Sequence, residues 1–281
     1  MTVNDGIDDW FAARGWTVFP FQREAWRAYA DGESGLIHSP TGSGKSLAAW
    51  VGPLRRIAAG EPCRGLRVLW LTPLRALASD TAAGLNEIAA AIGVTDAVKV
   101  RTGDTPASER KRQLAAPPPA LVTTPESLSL LLSYADSARQ FRHLDAVIVD
   151  EWHELLGTKR GVQLELCLAR LRRMAPGLRV WGLSATLGNL GQALAVLLGP
   201  SGGGRLIAGA QPKTTRIRSA LPPAIERFPW AGHLGVALLD QVVAALGDAA
   251  TTLLFTNTRS QAELWFEALT RARPDWLGVV A

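Results

Sequence analysis

The segment Ser39-Pro-Thr-Gly-Ser-Gly-Lys-Ser46 joins two glycines to a terminal Lys-Ser pair at the spacing of a P-loop. Gly42 and Gly44 allow a tight turn that points backbone N–H groups at phosphate oxygens. Lys45 then supplies a cation to the β- and γ-phosphates, and the Ser46 hydroxyl binds Mg²⁺. The alternative is a chance glycine-rich turn. The residues predicted to cradle the phosphates are Thr41, Gly42, Ser43, Gly44, Lys45 and Ser46.

A second group of reactive side chains follows the apolar run that begins at Ala146, which ends in Asp150 and Glu151. A carboxylate at a strand end beside a P-loop suits the Mg²⁺ shell, so Asp150 is a predicted metal ligand with Ser46. Glu151 is placed to orient and deprotonate an attacking water. His153 is expected to bridge nucleotide and nucleic-acid sites by hydrogen bonding. The alternative is that the two acids only cap the following helix. The predicted catalytic residues are Lys45, Asp150, Glu151 and His153.

These two motifs alone also fit a transporter ATPase or a kinase. The chain has no LSGGQ-like signature, and it carries further short motifs in a fixed order: 19–22, 72–77, 101–104, 124–128 and 184–186. With them, the sequence resembles superfamily 2 helicases, and within these the DExH-box proteins. The resemblance implies that Gln22 reads the adenine of ATP through its carboxamide. One of Trp16, Phe19 or Phe21 packs near the adenine, or all three belong to the core.

The same resemblance implies that strand-end loops grip a nucleic-acid backbone, through hydroxyl, guanidinium and backbone N–H donors. It also implies that Ser184 and Thr186 couple hydrolysis to strand movement by bonding the acidic residues. Simpler alternatives remain: a Thr-Pro pair often only starts a helix, and Arg259 can be a surface charge at a helix start. The residues implied as nucleic-acid contacts are Thr72, Arg75, Arg101, Thr102, Gly103, Thr124, Thr258 and Arg259.

The run Asp150–Gly161 narrows the match, because it closely resembles the Lhr-type ("large helicase-related") helicases, especially their ligase-associated bacterial branch. This resemblance covers nearly the whole chain. It implies ATP-driven movement along single-stranded DNA that displaces a DNA or RNA strand, with a DNA/RNA hybrid as a further partner. It also implies a repair setting with ligase machinery nearby. Lys159 and Arg160 either add backbone contacts or lie in a solvated loop. Backbone contacts carry little base information, so DNA and RNA stay open on the residues alone.

Short apolar runs alternate with helical patterns, which is typical of a parallel sheet covered by helices on both faces. In such sheets ligands bind beyond the carboxyl ends of the strands, where the motifs above lie. The predicted fold class is therefore α/β: a RecA-like P-loop NTPase domain with a parallel sheet flanked by helices. The predicted strands are Gly35–Ser39, Val68–Thr72, Val98–Thr102, Ala120–Thr123, Ala146–Asp150 and Val180–Ser184.

Three segments divide the chain. Residues 1–208 are predicted as the ATP-binding RecA-like domain 1, residues 209–230 as a proline-rich linker, and residues 231–281 as the truncated start of a second RecA-like domain. The second part is predicted to hold a helix over Gly232–Leu246, a strand over Thr252–Phe255 and a helix over Ser260–Thr270. The family's later arginines belong to that second domain. We therefore expect the 281-residue chain to bind ATP but hardly hydrolyse it.

The net charge of +5 fits a phosphate-rich partner, although many enzymes with solvated surfaces are equally basic. Cys63 and Cys167 form no CxxC pair, so a disulfide framework or a zinc site is not expected, and both are predicted to be buried. The N-terminal residues are polar, and no apolar run approaches the length of a membrane span. We expect a cytoplasmic protein without a membrane partner.

Overall fold

The computed structural model describes residues 3–60, 65–199, 202–209, 217–220, 234–247 and 252–280. Most of the predicted linker over 209–230 and Cys63 lie outside the described residues. The chain divides into two compact units, Met1–Pro212 and Lys213–Ala281, and each is described by itself.

One sheet of seven parallel strands forms the centre of the first unit. The strands are β1 Gly35–His38, β2 Val68–Leu71, β3 Val98–Arg101, β4 Ala120–Thr123, β5 Ala146–Val149, β6 Arg179–Ser184 and β7 Arg205–Ala208. Their order across the sheet is β3-β4-β2-β5-β6-β1-β7. The first six agree with the predicted strands to within one residue at each end. The predicted α/β class is therefore confirmed.

Helices connect the strands and cover both faces of the sheet. In the first unit they are α1 Val3–Ala12, α2 Pro20–Ala30, α3 Lys45–Ala58, α4 Arg75–Ala91, α5 Ala107–Ala115, α6 Pro125–Ser133, α7 Ser137–Phe141, α8 Trp152–Leu155, α9 Lys159–Met174 and α10 Leu190–Leu198. Every one of them runs between parallel strands or leads into the first, because parallel strands need a crossover connection. None of the helices in the described residues is both long enough and apolar enough to cross a membrane.

Two apolar clusters pack on the opposite faces of the sheet. Neighbouring residues of one strand point to opposite sides, so Ile37 joins the cluster under α1–α4 while Leu36 joins the cluster under α6–α10. Trp50 of α3 is fully buried, and its indole donates to the Leu85 carbonyl of α4 at 3.1 Å. Burial on both faces explains why the strands read as continuous apolar runs.

An ionic network holds the amino edge of the sheet. Arg67, just before β2, pairs with Asp145, just before β5, and Arg56 lies 3.6 Å from the same carboxylate. The Arg179 guanidinium covers the Tyr29 ring at 4.9 Å. Burial, reinforced by Asp145, raises the pKa of Tyr29 to about 12. These residues lie at the edge opposite to the predicted chemistry, so their role is structural.

The edge strand β7 is not among the predicted strands. Its apolar run, Leu206–Ala208, is short and follows the glycine-rich stretch 202–204, and only Ile207 of its four residues is buried. Three of its residues face solvent, as is common for an edge strand. The pattern of apolar residues, by which strands are predicted from sequence, is therefore too weak to predict a strand here.

The second unit contains two described helices, α11 Leu239–Gly247 and α12 Arg259–Ala272, with short 3-10 turns at Leu234–Leu238 and Pro274–Trp276. The predicted helix over Gly232–Leu246 begins as one of these turns, and its residues 232–233 lie outside the described residues. The predicted strand Thr252–Phe255 is wrong: these residues have no regular structure. A strand requires a neighbour to bond, and no described residue pairs with this segment.

Candidate nucleotide site and nucleic-acid loops

The P-loop lies between β1 and α3, as the sequence predicts. Gly42 and Gly44 have φ angles of 76° and 84°, a left-handed conformation that residues with a side chain rarely adopt. Gly44 directly precedes Lys45, the first residue of α3, so the turn delivers the chain into the helix N-terminus. The Ser39 hydroxyl donates to the Gly209 carbonyl at 3.0 Å and lies at hydrogen-bond distance, 2.7 Å, from the Ser43 hydroxyl. The loop is thereby fixed at its base, and a helix N-terminus faces any bound phosphate.

The Lys45 ammonium is buried within this loop. Its Nζ donates to the carbonyls of Ser39 at 2.7 Å and Pro40 at 3.2 Å. The side chain is only 7% exposed, and its charge lowers the pKa of Asp150 across the site, although other effects on that group are larger. The cation therefore lies between the loop and the acidic strand end. Thr41 and Ser46 are both exposed.

Gln22 braces the P-loop from the start of α2. Its Nε2 donates to the Gly44 carbonyl at 3.1 Å, and its Oε1 accepts from the Phe19 N–H at 2.9 Å. A Cβ at position 44 would collide with this amide, which adds a second reason for glycine there. Phe21 is buried and stacks with Phe19, whereas Trp16 is 53% exposed. The carboxamide therefore reaches the P-loop, the location expected of an adenine-reading residue.

Asp150 follows β5 and faces the P-loop. Its Oδ1 accepts from the Glu151 N–H at 3.0 Å, and its Oδ2 accepts from the Trp70 indole at 3.2 Å. Burial, together with the neighbouring Glu151 charge, raises the pKa of Asp150 above its ordinary value, against the opposing effect of these hydrogen bonds. Sequence reasoning missed Trp70, because a tryptophan inside an apolar strand looks like core alone.

Glu151 has a strained backbone and an unpartnered carboxylate oxygen. Its φ is 45°, which is uncommon for a residue with a side chain and often marks a functional site. It occupies the N-cap position of α8 but makes no capping hydrogen bond through its side chain. Its Oε2 is buried without a hydrogen-bond partner among the described residues, although His153 Nδ1 lies 3.4 Å away. The capping alternative therefore does not account for this carboxylate.

The ends of β5 and β6 are joined by a side-chain hydrogen bond. His153 Nδ1 lies 3.2 Å from the Ser184 hydroxyl, the last residue of β6. Ser184 is expected from the sequence to bond the acidic residues, but in the structure its side-chain partner is His153. Thr186, two residues later, is exposed. The link is the one direct connection that the described side chains make between the acidic loop and the 184–186 loop.

The site suits a magnesium ion that is bound mainly by nucleotide phosphates. Asp150 offers a carboxylate and Ser46 an exposed hydroxyl, and Glu151 Oε2 is buried without a hydrogen-bond partner among the described residues. No group of three or more His, Cys, Asp or Glu side chains in the described residues is arranged to hold a metal. One or two protein ligands plus phosphates are the usual coordination of Mg²⁺ at such sites.

Two of the predicted nucleic-acid loops meet at an exposed surface. The Arg75 guanidinium lies 3.5 Å from Asp104 and packs against Gly103, where a Cβ would come within 3.1 Å of it. The Arg75 side chain is 58% exposed. Glycine at 103 therefore lets the guanidinium lie flat on the second loop while it stays open to solvent.

Four other predicted contacts are buried inside the domain, contrary to the solvent-facing role expected of them. The Arg101 side chain is 3% exposed and donates to the Arg110 carbonyl at 2.9 Å; burial lowers its pKa. Thr124 caps α6, which is the simpler alternative stated for a Thr-Pro pair. The remaining two hydroxyls also bond neighbouring backbone groups. Those two are Thr72, which donates to the Leu74 carbonyl, and Thr102, which accepts from the Asp104 N–H.

The remaining predicted contacts lie at helix starts. Arg160 bonds Glu126 of the 124–128 loop, with 3.2 Å between Nη2 and Oε2, while its neighbour Lys159 is exposed. In the second unit, Thr258 caps α12 by accepting from the Gln261 N–H at 3.2 Å. Arg259 is 93% exposed and pairs with Glu263 one turn along the helix. This geometry matches the alternative of a surface charge at the start of a helix, and it leaves the Arg259 guanidinium exposed to solvent.

Comparison with known proteins gives a family match. The DEAD/DEAH box helicase family model matches residues 19–193. The chain is 34% identical over 91% of its length to "Lhr helicase/ probable uracil glycosylase" of Mycolicibacterium smegmatis. It is also 34% identical over 92% of its length to "ATP-dependent helicase Lhr-Core" of Methanocaldococcus jannaschii. The predicted likeness to Lhr-type helicases is thereby confirmed.

A solved structure shares the fold. The Mycobacterium smegmatis helicase Lhr, bound to ssDNA and AMP-PNP, superposes with a TM-score of 0.78 at 30% identity, covering 97% of this chain and 36% of that one. The chain spans 18% of the length of the Mycolicibacterium smegmatis relative and 32% of the Methanocaldococcus jannaschii one. The likeness therefore concerns one region of larger proteins.

Proposed function

This chain belongs to the DEAD/DEAH box helicase family, and on that premise we propose that it is the ATP-driven motor region of a helicase. It binds ATP with Mg²⁺ and supplies part of a motor that uses hydrolysis to move along single-stranded nucleic acid, while turnover by this chain alone is expected to be low. The observation that carries this proposal is the meeting of three groups at one edge of one sheet: the P-loop cation Lys45, the Asp150–Glu151 pair, and the His153–Ser184 link.

The phosphates of ATP are held by the P-loop. Backbone N–H groups around Gly42 and Gly44 surround them, and the Lys45 ammonium exchanges its carbonyl partners for phosphate oxygens. Gln22, already bonded to Gly44, presents its remaining carboxamide positions to the adenine. Ser46 and Asp150 hold the Mg²⁺, which neutralises charge on the phosphates. Each of these side chains thus acts on a different part of the nucleotide.

Glu151 is the proposed general base. Its unpartnered Oε2 can accept a hydrogen bond from a water and then take the proton of that water as it attacks. His153 contacts both Glu151 and Ser184, so a shift of the acidic loop during hydrolysis moves the end of β6. We propose Ser184 and Thr186 as the coupling residues on this basis.

Single-stranded DNA is the proposed track. The family relative that binds ssDNA supports this choice, and a DNA/RNA hybrid is the proposed duplex to be separated. The exposed Arg75, the backbone at Gly103 and the exposed Lys159 provide donors to phosphates, which position a strand without reading bases. Thr258 and Arg259 provide donors from the second unit.

The wider setting is proposed on family likeness alone. Residues 1–208 serve as the ATP-binding RecA-like domain, 209–230 as a linker, and 231–281 as part of a second RecA-like domain. The protein acts in the cytoplasm in DNA repair, beside ligase machinery.

The test compares nucleotide binding and turnover in matched variants. Lys45→Ala is expected to abolish Mg-ATP binding in calorimetry, because it removes the cation at the β- and γ-phosphates. Lys111→Ala, an exposed lysine of α5, is the control and should bind as wild type. Equal affinity in Lys45→Ala and wild type would contradict the proposal. Steady-state ATPase assays with and without single-stranded DNA then separate a motor from a module that binds ATP without turnover.

A further inference from the structure

Trp70 lies in the middle of β2, next to the strand that carries Asp150. It stands opposite Ile148 of β5 in the parallel ladder, and Asp150 follows Ile148 by two residues. Residues two apart in a strand share a face, so the indole and the carboxylate lie on the same side of the sheet. The side chain is 1% exposed, and its Nε1 lies 3.2 Å from Asp150 Oδ2. A core tryptophan therefore reaches the nucleotide site with its single polar atom.

The Asp150 carboxylate is held at both oxygens. Trp70 donates to Oδ2, while the Glu151 N–H donates to Oδ1 at 3.0 Å. Two donors on two oxygens fix the rotation of the carboxylate plane, which a single hydrogen bond leaves free. Each oxygen keeps a second lone pair, since a carboxylate oxygen accepts more than one hydrogen bond. Those lone pairs remain available to a cation.

We propose that Trp70 is a positioning residue, which orients Asp150 for the magnesium shell of bound nucleotide. This inference rests on the proposed function, in which Asp150 is a magnesium ligand. Donors behind a metal ligand commonly fix its orientation and raise metal affinity. Trp70 belongs to β2 and the metal ligand to β5, so the bond also ties the position of the ligand to the packing of two adjacent strands.

Trp181 offers a matched control. It faces Ile148 from the other side, in β6, so Trp70, Ile148 and Trp181 form one row across three strands. Trp181 is 2% exposed and lies in the same apolar cluster. Its indole nitrogen has no hydrogen-bond partner among the described residues. Replacing either tryptophan by phenylalanine removes the same atoms, and only the change at Trp70 removes a hydrogen bond to Asp150.

The experiment measures AMP-PNP binding by calorimetry, in EDTA and across a series of Mg²⁺ concentrations. Trp70→Phe should bind AMP-PNP in EDTA like wild type, because the P-loop is untouched. Mg²⁺ should increase the affinity for AMP-PNP, and the Mg²⁺ concentration that gives half of this increase should rise by about 10- to 100-fold in Trp70→Phe. This is the usual effect of losing a hydrogen-bond donor to a metal ligand. Trp70→Tyr should show the same rise, and Trp181→Phe should show none.

Three results would overturn the inference. The first is an unchanged Mg²⁺ requirement in both Trp70 variants. The second is a rise that Trp181→Phe shares, and the third is a loss of AMP-PNP binding in EDTA by the Trp70 variants, since either of these would show an effect of packing. Asp150→Asn separates this inference from the proposed function. If Asp150→Asn leaves the Mg²⁺ requirement unchanged, Asp150 is not the magnesium ligand and the proposed function is wrong on this point. If Asp150→Asn changes the requirement but the Trp70 variants do not, only the positioning role of Trp70 is wrong.

Discussion

At the scale of single residues, the two neighbouring acidic residues Asp150 and Glu151 lie in unequal environments. Asp150 is bonded at both oxygens, whereas Glu151 keeps a buried oxygen without a hydrogen-bond partner among the described residues. Glu151 has a left-handed backbone at the N-cap position of α8, and its side chain makes no capping hydrogen bond. One carboxylate is thus suited to hold a cation, and the other to accept a proton.

Glu151→Gln should separate binding from turnover. The amide keeps the shape of the side chain but cannot take a proton from water, so turnover should fall by about 10²–10⁴-fold. Nucleotide affinity, measured by calorimetry, should stay near wild type. Glu154→Gln is the control, because Glu154 is 63% exposed three residues along the chain. Turnover that survives in Glu151→Gln would remove Glu151 from the role of base.

Asp150→Asn should stabilise the protein at neutral pH in EDTA. Burial raises the pKa of Asp150, so the folded state holds this proton more tightly than the unfolded state does. Ionisation therefore destabilises the fold as pH rises above about 4, the ordinary aspartate value, and the penalty grows until pH passes the raised pKa of the folded state. The neutral amide removes the penalty.

Thermal unfolding from pH 4 to pH 7 measures this difference, which should shrink toward the acidic end. Asp145→Asn is the contrasting variant, since it breaks the pair with Arg67 and should lower Tm. A lower Tm for Asp150→Asn at pH 7 would mean that its hydrogen bonds outweigh burial.

At the scale of elements, the ends of adjacent strands are joined by side chains as well as by the ladder. β5 and β6 pair along their length, and His153 and Ser184 join the loops that follow them. At the other end of β6, the Ser34 hydroxyl accepts from the Val180 N–H at 3.0 Å. One strand thus carries a hydroxyl contact at each end, and only one of these lies beside the acidic loop.

Ser184→Ala should uncouple nucleic acid from turnover. Loss of the contact with His153 leaves Glu151 and Lys45 in place, so basal ATP hydrolysis should stay near wild type while stimulation by single-stranded DNA falls. Ser34→Ala removes the hydroxyl at the far end and serves as the control. Equal stimulation in wild type and Ser184→Ala would exclude this bond as the connection.

The sequence predicts elements well where burial is complete and poorly where it is partial. The strand β5 is buried at every position and was predicted with its boundary one residue long. The edge strand β7 buries one residue of four and was missed, and Thr252–Phe255 is apolar yet lies without a described partner. The spacing of the motifs predicts which loops form the site. It cannot predict which side chains form hydrogen bonds within the domain, as those of Arg101 and Thr124 do. That distinction depends on packing.

At the scale of the whole molecule, a net charge of +5 is spread over residues of very different exposure. Arg101 is buried and bonded to a backbone carbonyl, whereas Arg75 is open to solvent. Only exposed cations can replace the counterions of a phosphate backbone. Binding to single-stranded DNA should therefore depend on salt and little on base sequence.

Arg75→Ala and Arg101→Ala should have different effects. Arg75→Ala should weaken binding to single-stranded DNA and reduce the slope of log affinity against log salt by about 0.7, the value for one phosphate contact on a single strand. Thermal stability should be unchanged. Arg101→Ala should lower Tm, because it leaves a cavity and an unpaired carbonyl. Fluorescence anisotropy at several salt concentrations and thermal unfolding measure both; an unchanged slope in Arg75→Ala would remove Arg75 from the contact surface.

The P-loop lysine has one more consequence, for selectivity among anions. Because Ser39 and Pro40 already accept hydrogen bonds from Lys45, an arriving anion competes with two carbonyls inside the protein. An inorganic phosphate that displaces these two carbonyls would form hydrogen bonds with only part of the loop. In the proposed function a nucleotide also engages the backbone amides along its phosphate chain and the Gln22 carboxamide. We therefore expect the loop to prefer nucleotides over free inorganic phosphate.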